Sequence, residues 1–508
     1  MTKKSTFTKI LSGSVWGIFA KILDAFAKFF TIPMLVGFYG KADYGLIALA
    51  FSLNAYLRLM DMGMNVGSIR FFSMWIAQKK WDKIAVVSRS SIVFYGVIGV
   101  INALVFVFMA ERADLFFNIS PDQSVVFKWM MYILSISTVF NWMTSVVSQL
   151  LNAHGEQGWV NRVTVISSVL NFLTALLAVK YKLNLPVYFL LYTLSTLIII
   201  PFNVYRLKIY NMPLLSLLSP KWNGKAFKEI LGYSLTIFAI GIFQQSADSL
   251  RPLLLGKYAS QGIEVLTEYR VIQTIAMLII AFGAIFMQVL LPSASKIYAE
   301  NNREKLEQFV YDGTKYISVF LSLVVFLLIV NARTILHLYM GAGYDHLALW
   351  LIIWLLTVLV SMHNAPVATL VLSSGKTKNL AYFSAFTCVV SLPITSMLAH
   401  KYNVGAAVIG FFVYVWLQIG FYYVYYIPKV LFLESKKIFF GSFFPSMLSG
   451  IIASVITYFI SNLLLIHSNI VVLISNSIFF LVVYSVLILL FIIKKKEIGL
   501  LKSKMFSS

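Results

Sequence analysis

Residues 13–40 read GSVWGIFAKILDAFAKFFTIPMLVGFYG. The stretch is long enough to cross a bilayer, which takes about 20 mostly apolar residues, yet it carries Lys21, Asp24 and Lys28. These charges step by three and four, so with Gly17 they share one face of a helix. A charge at bilayer depth costs roughly 2.5–3.5 kcal/mol on the insertion scale, so such a face turns to protein or to a watered cavity and marks a substrate path. The apolar run is too long, and too interrupted by Lys21 and Asp24, for a cleaved leader, and is read as the first membrane helix. Pro33 removes a backbone hydrogen bond near its outer end and is a candidate hinge or a packing position.

The rest of the chain has the same character. Its 508 residues are 60% hydrophobic and 12% charged, with a mean hydropathy of +0.84. Fourteen apolar stretches predict membrane helices at 11–38, 44–69, 85–110, 126–151, 160–180, 185–206, 230–256, 266–294, 313–333, 347–372, 379–400, 405–428, 440–462 and 469–493. They lack the apolar/polar alternation of membrane strands, so the expected fold is an all-α polytopic membrane protein. The net charge of +22 follows from topology. With the N-terminus inside, twenty-eight of the 41 Lys and Arg fall at cytoplasmic ends, nine outside and four within the membrane. Cytoplasmic loops carry the basic excess, so both termini are expected in the cytoplasm, and nucleic acid is not needed to explain the charge. The single cysteine, Cys388, excludes an intramolecular disulfide and reads as packing.

The chain repeats itself. Pro33, Leu35, Gly37 and Tyr39 recur as Pro252, Leu254, Gly256 and Tyr258, at an offset of 219. Ala77, Asp82 and Lys83 recur at 222 as Ala299, Glu304 and Lys305, and Lys182-Leu-Asn184 recurs at 219 as Lys401-Tyr-Asn403. Ordered matches at nearly one offset point to duplication. The expected organisation is a lobe over 1–218, a second over 219–435, and two extra helices with a basic tail over 436–508. Six helices per lobe is an even number, so the repeat is parallel, about an axis along the membrane normal, and a substrate site belongs near the midplane. Pro252 is the second candidate hinge.

Polar stripes mark the faces of interest. Asn54, Arg58, Asp61, Asn65 and Ser68 step by four and three, an expected helical stripe of about 21 Å. Gln244, Asp248 and Arg251 match it halfway along the chain, and Arg270 with Gln273 follows. A milder stripe holds Asn141, Ser145, Ser148 and Asn152. Two readings stay open. Lys21, Lys28, Arg58, Arg251 and Arg270 bind an anion in a central cavity, or the neighbouring acids neutralise them and the pairs tie helices together. Asp24, Asp61 and Asp248, with Asn54, Asn65 and Gln244, are the polar and ion-coupling candidates, since a carboxylate beside a cation at low dielectric can take H⁺ or Na⁺. No P-loop is present, because Gly375-Lys376-Thr377 has Leu370 where the first glycine belongs. The six histidines lack metal-ligand spacing, and His363 reads as a hydrogen-bonded core residue.

Several motifs then carry a resemblance. They are Ser14-Val-Trp-Gly17 running into Pro33-Met-Leu-Val-Gly-Phe-Tyr-Gly40, Asp43-Tyr-Gly-Leu-Ile47, Asp61-Met-Gly63 through Arg70, Leu151-Asn-Ala-His-Gly155 and Tyr402-Asn-Val-Gly-Ala-Ala407. Together they resemble the polysaccharide transporter, or O-antigen flippase (Wzx-like), branch of the multidrug/oligosaccharidyl-lipid/polysaccharide (MOP) exporter superfamily. The resemblance implies a flippase of the bacterial cytoplasmic membrane working by alternating access, without a cofactor, with H⁺ or Na⁺ coupling. Its cargo would be an undecaprenyl-diphosphate-linked oligosaccharide, and its partners membrane lipids, a polysaccharide polymerase and glycosyltransferases. Lipid II flippases of this superfamily carry two extra C-terminal helices and diphosphate-binding arginines on helices 1, 2 and 7–8; Lys21, Lys28, Arg58, Arg251 and Arg270 occupy similar places. This chain departs in using Lys on helix 1, a point charge without the guanidinium fork. Two rivals remain: a MATE-type multidrug/cation antiporter, which wants an acidic aromatic cavity, and a membrane polysaccharide polymerase or glycosyltransferase, for which Glu264 and Glu268 are the acids to test.

Overall fold

The computed structural model describes residues 3–210, 217–300, 302–463 and 468–492. The basic tail at 494–504 lies outside them. The predicted stretches fall mainly on helix, with breaks inside 44–69 at residues 58–63 and inside 347–372 at residues 363–364, and among the described residues eleven helices are long and apolar enough to cross a membrane. No strand occurs among the described residues. The protein is a multi-pass helical membrane protein.

Packing divides the chain into two compact units: residues 1–274 with 392–407, and residues 275–391 with 408–508. The first is built on α1 (Lys3–Leu57), α2 (Met64–Ala77), α3 (Trp81–Glu111), α4 (Pro121–Ala153), α5 (Gln157–Lys180), α6 (Leu185–Leu197), α7 (Ile199–Lys208) and α8 (Gly224–Tyr258). α9 (Glu264–Ala299) starts in this unit and ends in the other.

Local chemistry sets the boundaries. α1 holds two predicted spans without a loop, because Gly40, at φ 85° and ψ 169°, breaks the helix in a conformation that a Cβ disfavours. The break is at Gly40; Pro33 and Pro252 lie inside continuous helix. α4 begins with a capping box: Ser120 accepts from Gln123 N–H, the Gln123 side chain accepts from Ser120 N–H, and Pro121 takes the first helical position. Asn184 caps α6 and Asn223 caps α8 in the same sense. The inner part of this unit is an aromatic and aliphatic core in which Phe72 and Trp75 of α2, Tyr95 of α3, Trp142 and Leu150 of α4, Leu207 of α7 and Ile230 of α8 pack together.

The second unit holds α10 (Arg303–Val330), α11 (Ala332–Met340), α12 (Ala348–Met362), α13 (Ala365–Ser374), most of α14 (Lys378–Tyr402) and of α15 (Val404–Phe421), α16 (Phe444–Leu463) and α17 (Asn469–Phe491). Tyr484 of α17 donates to the Val319 carbonyl of α10 at 2.8 Å, which seats the last helix on this unit. His363 is wholly buried and stacks on Phe443 with centroids 4.0 Å apart. A carbonyl only accepts, so His363 Nδ1 donates to Val360 O at 2.5 Å and Nε2 accepts from the Tyr423 hydroxyl at 2.7 Å. It is the hydrogen-bonded core residue expected. Cys388 is buried.

Candidate functional site

The polar stripe of the second span does not run on one unbroken helix. α1 stops at Leu57, Arg58–Asp61 form a 3₁₀ turn, and Met62 and Gly63 adopt left-handed φ values of 50° and 72° before α2 begins. The expectation of a continuous stripe from Asn54 to Ser68 is corrected accordingly. Gly63 permits the break. Its left-handed backbone suits a residue without Cβ, and a Cβ there would stand 2.4 Å from the Ser234 carbonyl oxygen of α8. Irregular backbone at membrane depth is tolerated where it lines a cavity or is buried in protein. This one lines a cavity of about 890 Å³ within the first unit, near the top of the ~300–1,000 Å³ range of small-molecule sites.

The walls are rich in hydroxyls and amides. α1 and the turn contribute Asp24, Asn54, Arg58 and Asp61, and α2 adds Asn65. α4 presents Ser137, Thr138, Asn141, Thr144, Ser145, Ser148 and Gln149; α5 presents Thr164, Ser167, Ser168 and Asn171. Tyr192, Thr193, Thr196 and Asn203 come from α6 and α7, and Gln245 from α8. Phe51, Trp142, Phe189 and Phe238 supply aromatic surface between them. Such walls offer donors, acceptors and stacking faces, which suits a polyhydroxylated occupant better than a purely apolar one.

The charges are few and individually placed. Asp61 accepts from Asn65 N–H at 3.0 Å and from the Tyr95 hydroxyl at 2.8 Å. Tyr95 is buried and stacks on Trp142, with centroids 5.6 Å apart at 21°, so the acid is oriented by a fixed ring. Asp24 pairs with exposed Lys28 at 2.7 Å. Arg58 is exposed on the cavity wall. One turn beyond Asn203, Arg206 of α7 donates to Glu156 at 3.1 and 2.9 Å, and the Tyr210 hydroxyl donates to the same carboxylate. This half-buried cluster, with Glu156 at its buried centre, ties the α4–α5 connection to α7. Burial, followed by that hydrogen bond, raises the Tyr210 phenol well above its ordinary range.

The predicted site residues therefore separate. Asp24, Asn54, Arg58, Asp61 and Asn65 share the cavity. Lys21 and Lys28 are exposed and outside its lining, as is Gln244, whose neighbour Gln245 lines it instead. Arg251 is buried, 2% exposed, and binds Asp248 at 2.7 Å in the three-residue pairing weighed above. Arg270 donates to Gln273 at 2.7 Å and to Ser52 at 2.9 Å, joining α9 to α1. Glu268 is buried and receives Lys41 at 2.5 Å, while Glu264 is exposed. Sequence reasoning found Asn141, Ser145 and Ser148 on α4 but missed the faces of α5 to α7. Their signal was present as spacing, at 164, 167, 168 and 171 and at 189, 192, 193 and 196.

The family described as polysaccharide biosynthesis protein matches residues 10–349. Among solved structures, the lipid II flippase MurJ in an inward closed conformation matches with a TM-score of 0.71 at 16% identity, covering 94% of this chain and 97% of that one. An inward-facing multidrug resistance MATE family transporter of the MOP superfamily matches with a TM-score of 0.64 at 16% identity, covering 78% of this chain and 92% of that one. A MOP superfamily transporter from Pyrococcus furiosus, described by a binding pocket of reverse polarity, gives a TM-score of 0.57 at 15% identity over 80% of this chain and 94% of that one. No curated protein matches the chain. At these identities the structural likeness establishes the fold, which is that of the MOP superfamily.

Proposed function

The chain belongs to the polysaccharide biosynthesis protein family, and we propose that it flips an undecaprenyl-diphosphate-linked oligosaccharide across the bacterial cytoplasmic membrane by alternating access. The cavity beside the helix break carries this reading, with its hydroxyl and amide walls, its aromatic faces and the exposed guanidinium of Arg58. The sugars occupy the polar chamber, Arg58 meets the diphosphate with a planar fork suited to phosphate oxygens, and the polyprenyl tail stays in lipid. Lys28, beside Asp24, is the second cation available to the phosphates as they enter. Arg251 and Arg270 act through the helices they hold. Reset draws on H⁺ or Na⁺ at Asp61. The distribution of basic residues supports placing both termini in the cytoplasm, and glycosyltransferases and a polymerase act on the cargo before and after it crosses. No covalent bond of the cargo changes.

Two acids in the cavity keep the MATE-type reading as the rival, since carboxylates and aromatic faces also receive cations. Export of ethidium by cells producing the protein would favour it. The polymerase reading loses its best acid, because Glu268 is buried against Lys41. The flippase reading is tested by replacing Ser145, on the cavity wall, with Cys in a Cys388→Ser background. A bulky thiol reagent then stops translocation of a lipid-linked oligosaccharide in proteoliposomes. Full translocation after complete labelling refutes the assignment of this cavity to the cargo.

A further inference from the structure

One face of α8 does two different things along its length. Ile230 and Ser234 press on α2, and Phe238, Gly241 and Gln245, which continue the same face by steps of four and three, line the cavity. The contact with α2 is made at backbone distance. A Cβ on Gly67 would stand 2.0 Å from Ser234 Oγ and 3.3 Å from Ser234 Cβ, and one on Gly63 would stand 3.2 Å from Phe238 N. Two small residues four apart make the groove that lets membrane helices approach this closely. The seam starts at the chamber, because Gly63 and Phe238 belong to its lining. It runs to the end of the unit expected in the cytoplasm, where Arg70 lies on Tyr233.

Little holds this seam shut. Ser234 is 0% exposed, yet its Oγ has no hydrogen-bond partner among the described residues, so the glycine groove offers it packing alone. Lys83 and Glu229 approach only to 3.8 Å and are about half exposed, a pair that contributes little. The remaining contact is Arg70, whose guanidinium carbon lies 4.2 Å from the Tyr233 ring centroid. Arg70 is exposed, and its neighbours in contact are rings: no carboxylate pairs with it among the described residues. The other end of α8 is fastened. Asn118 N–H donates to Gly256 O at 3.0 Å, and Leu255 is wholly buried. A helix tied at one end and packed on glycines at the other swings at the second.

We propose that the α2–α8 seam is the door by which the cargo enters the chamber, and that Arg70 is both its latch and the first group to meet the diphosphate. The inference rests on the cavity being the cargo chamber and adds its entrance. An exposed guanidinium is held only weakly by an aromatic face, whereas phosphate oxygens offer it charge-assisted, bidentate hydrogen bonds. The diphosphate therefore takes Arg70 from Tyr233. The ring then no longer bridges the two helices, and Ser234 leaves the groove. The sugars pass Gly63 into the chamber, and Arg58 on the chamber wall receives the diphosphate from Arg70.

The door is followed with Ser234→Cys in a Cys388→Ser background, full-length in nanodiscs, by its rate of labelling with a hydrophilic maleimide. Farnesyl diphosphate is expected to speed labelling about threefold, the loosening of one cation–π contact, and farnesol to leave it unchanged. Arg70→Ala raises the rate by about the same threefold without farnesyl diphosphate and abolishes the response to it. Leu255→Cys, equally buried at the tied end, labels far more slowly. A rate untouched by Arg70→Ala, or Leu255→Cys labelling as fast as Ser234→Cys, overturns the inference. This readout needs no translocation, so it stands apart from the functional reading.

Gly67→Cys/Ser234→Cys gives a second measurement. The Cβ separation of 3.3 Å is near the ~3.5–4.5 Å of disulfides, so oxidation bolts the door and stops translocation of a lipid-linked oligosaccharide until reductant is added. Full translocation by the oxidised protein overturns the inference, and leaves the chamber standing if a label on Ser145→Cys still stops it. Translocation indifferent to both the bolt and that label overturns the functional reading, and this inference with it.

Discussion

Arg58–Asp61 and Asp248–Arg251 are mirrored patterns in sequence, an arginine and an aspartate three residues apart within an apolar stretch, and the fold treats them in opposite ways. On α8 the backbone stays helical, so the pair closes at 2.7 Å and Arg251 is buried at 2% exposure. Between α1 and α2 the backbone leaves the helix. Asp61 turns to Tyr95 and Asn65, and Arg58 is left exposed on the cavity wall. Three-residue spacing predicts an ion pair only if the helix continues. The helix ends at Leu57, and the left-handed backbone of Met62 and Gly63, the latter set against α8, completes the break.

That contrast can be broken by substitution, and the largest effect is expected at its origin. Gly63→Ala forces a Cβ into a left-handed residue and onto the Ser234 carbonyl, and should cost about 3 kcal/mol, seen as a lowered thermal midpoint in detergent. Next comes Arg251→Ala, which empties a buried site and should cost about 2 kcal/mol in the same measurement while the surviving protein translocates normally. Arg58→Ala inverts that profile. Stability should stay within about 0.5 kcal/mol, as for an exposed side chain, while translocation falls about tenfold, one charge-assisted contact to phosphate. The smallest change belongs to Asp248→Asn. Its carboxylate is 54% exposed, and the amide oxygen still accepts from Arg251, so about 0.5 kcal/mol is expected. A loss there equal to that of Arg251→Ala would show that the pair, rather than the packing of the arginine, holds α8.

The helices were legible because long apolar runs have one outcome in a bilayer, where every backbone group must be satisfied within the segment. The break at Gly40 was less so, since a glycine in an apolar run is common and only its φ of 85° shows that it turns the chain. The charged residues announced themselves by their cost, but their pairing depended on backbone geometry that a residue pattern does not contain. Hence Arg58 reached the cavity, while Arg251 and Arg270 went to helix contacts. The hydroxyl faces of α5 and α6 were hidden for another reason. Ser and Thr in membrane helices often bond carbonyls of their own helix, as Thr164 does with Val160 and Thr193 with Phe189. Their presence alone does not distinguish a cavity face from a satisfied interior.

The most direct test of the cargo chamber is the translocation rate of a lipid-linked oligosaccharide in proteoliposomes, per folded molecule, for the unsubstituted protein, Arg58→Ala and Arg251→Ala. The account predicts a loss of about tenfold for Arg58→Ala and a near-normal rate for Arg251→Ala. A full rate for Arg58→Ala, or a loss confined to Arg251→Ala, would contradict it.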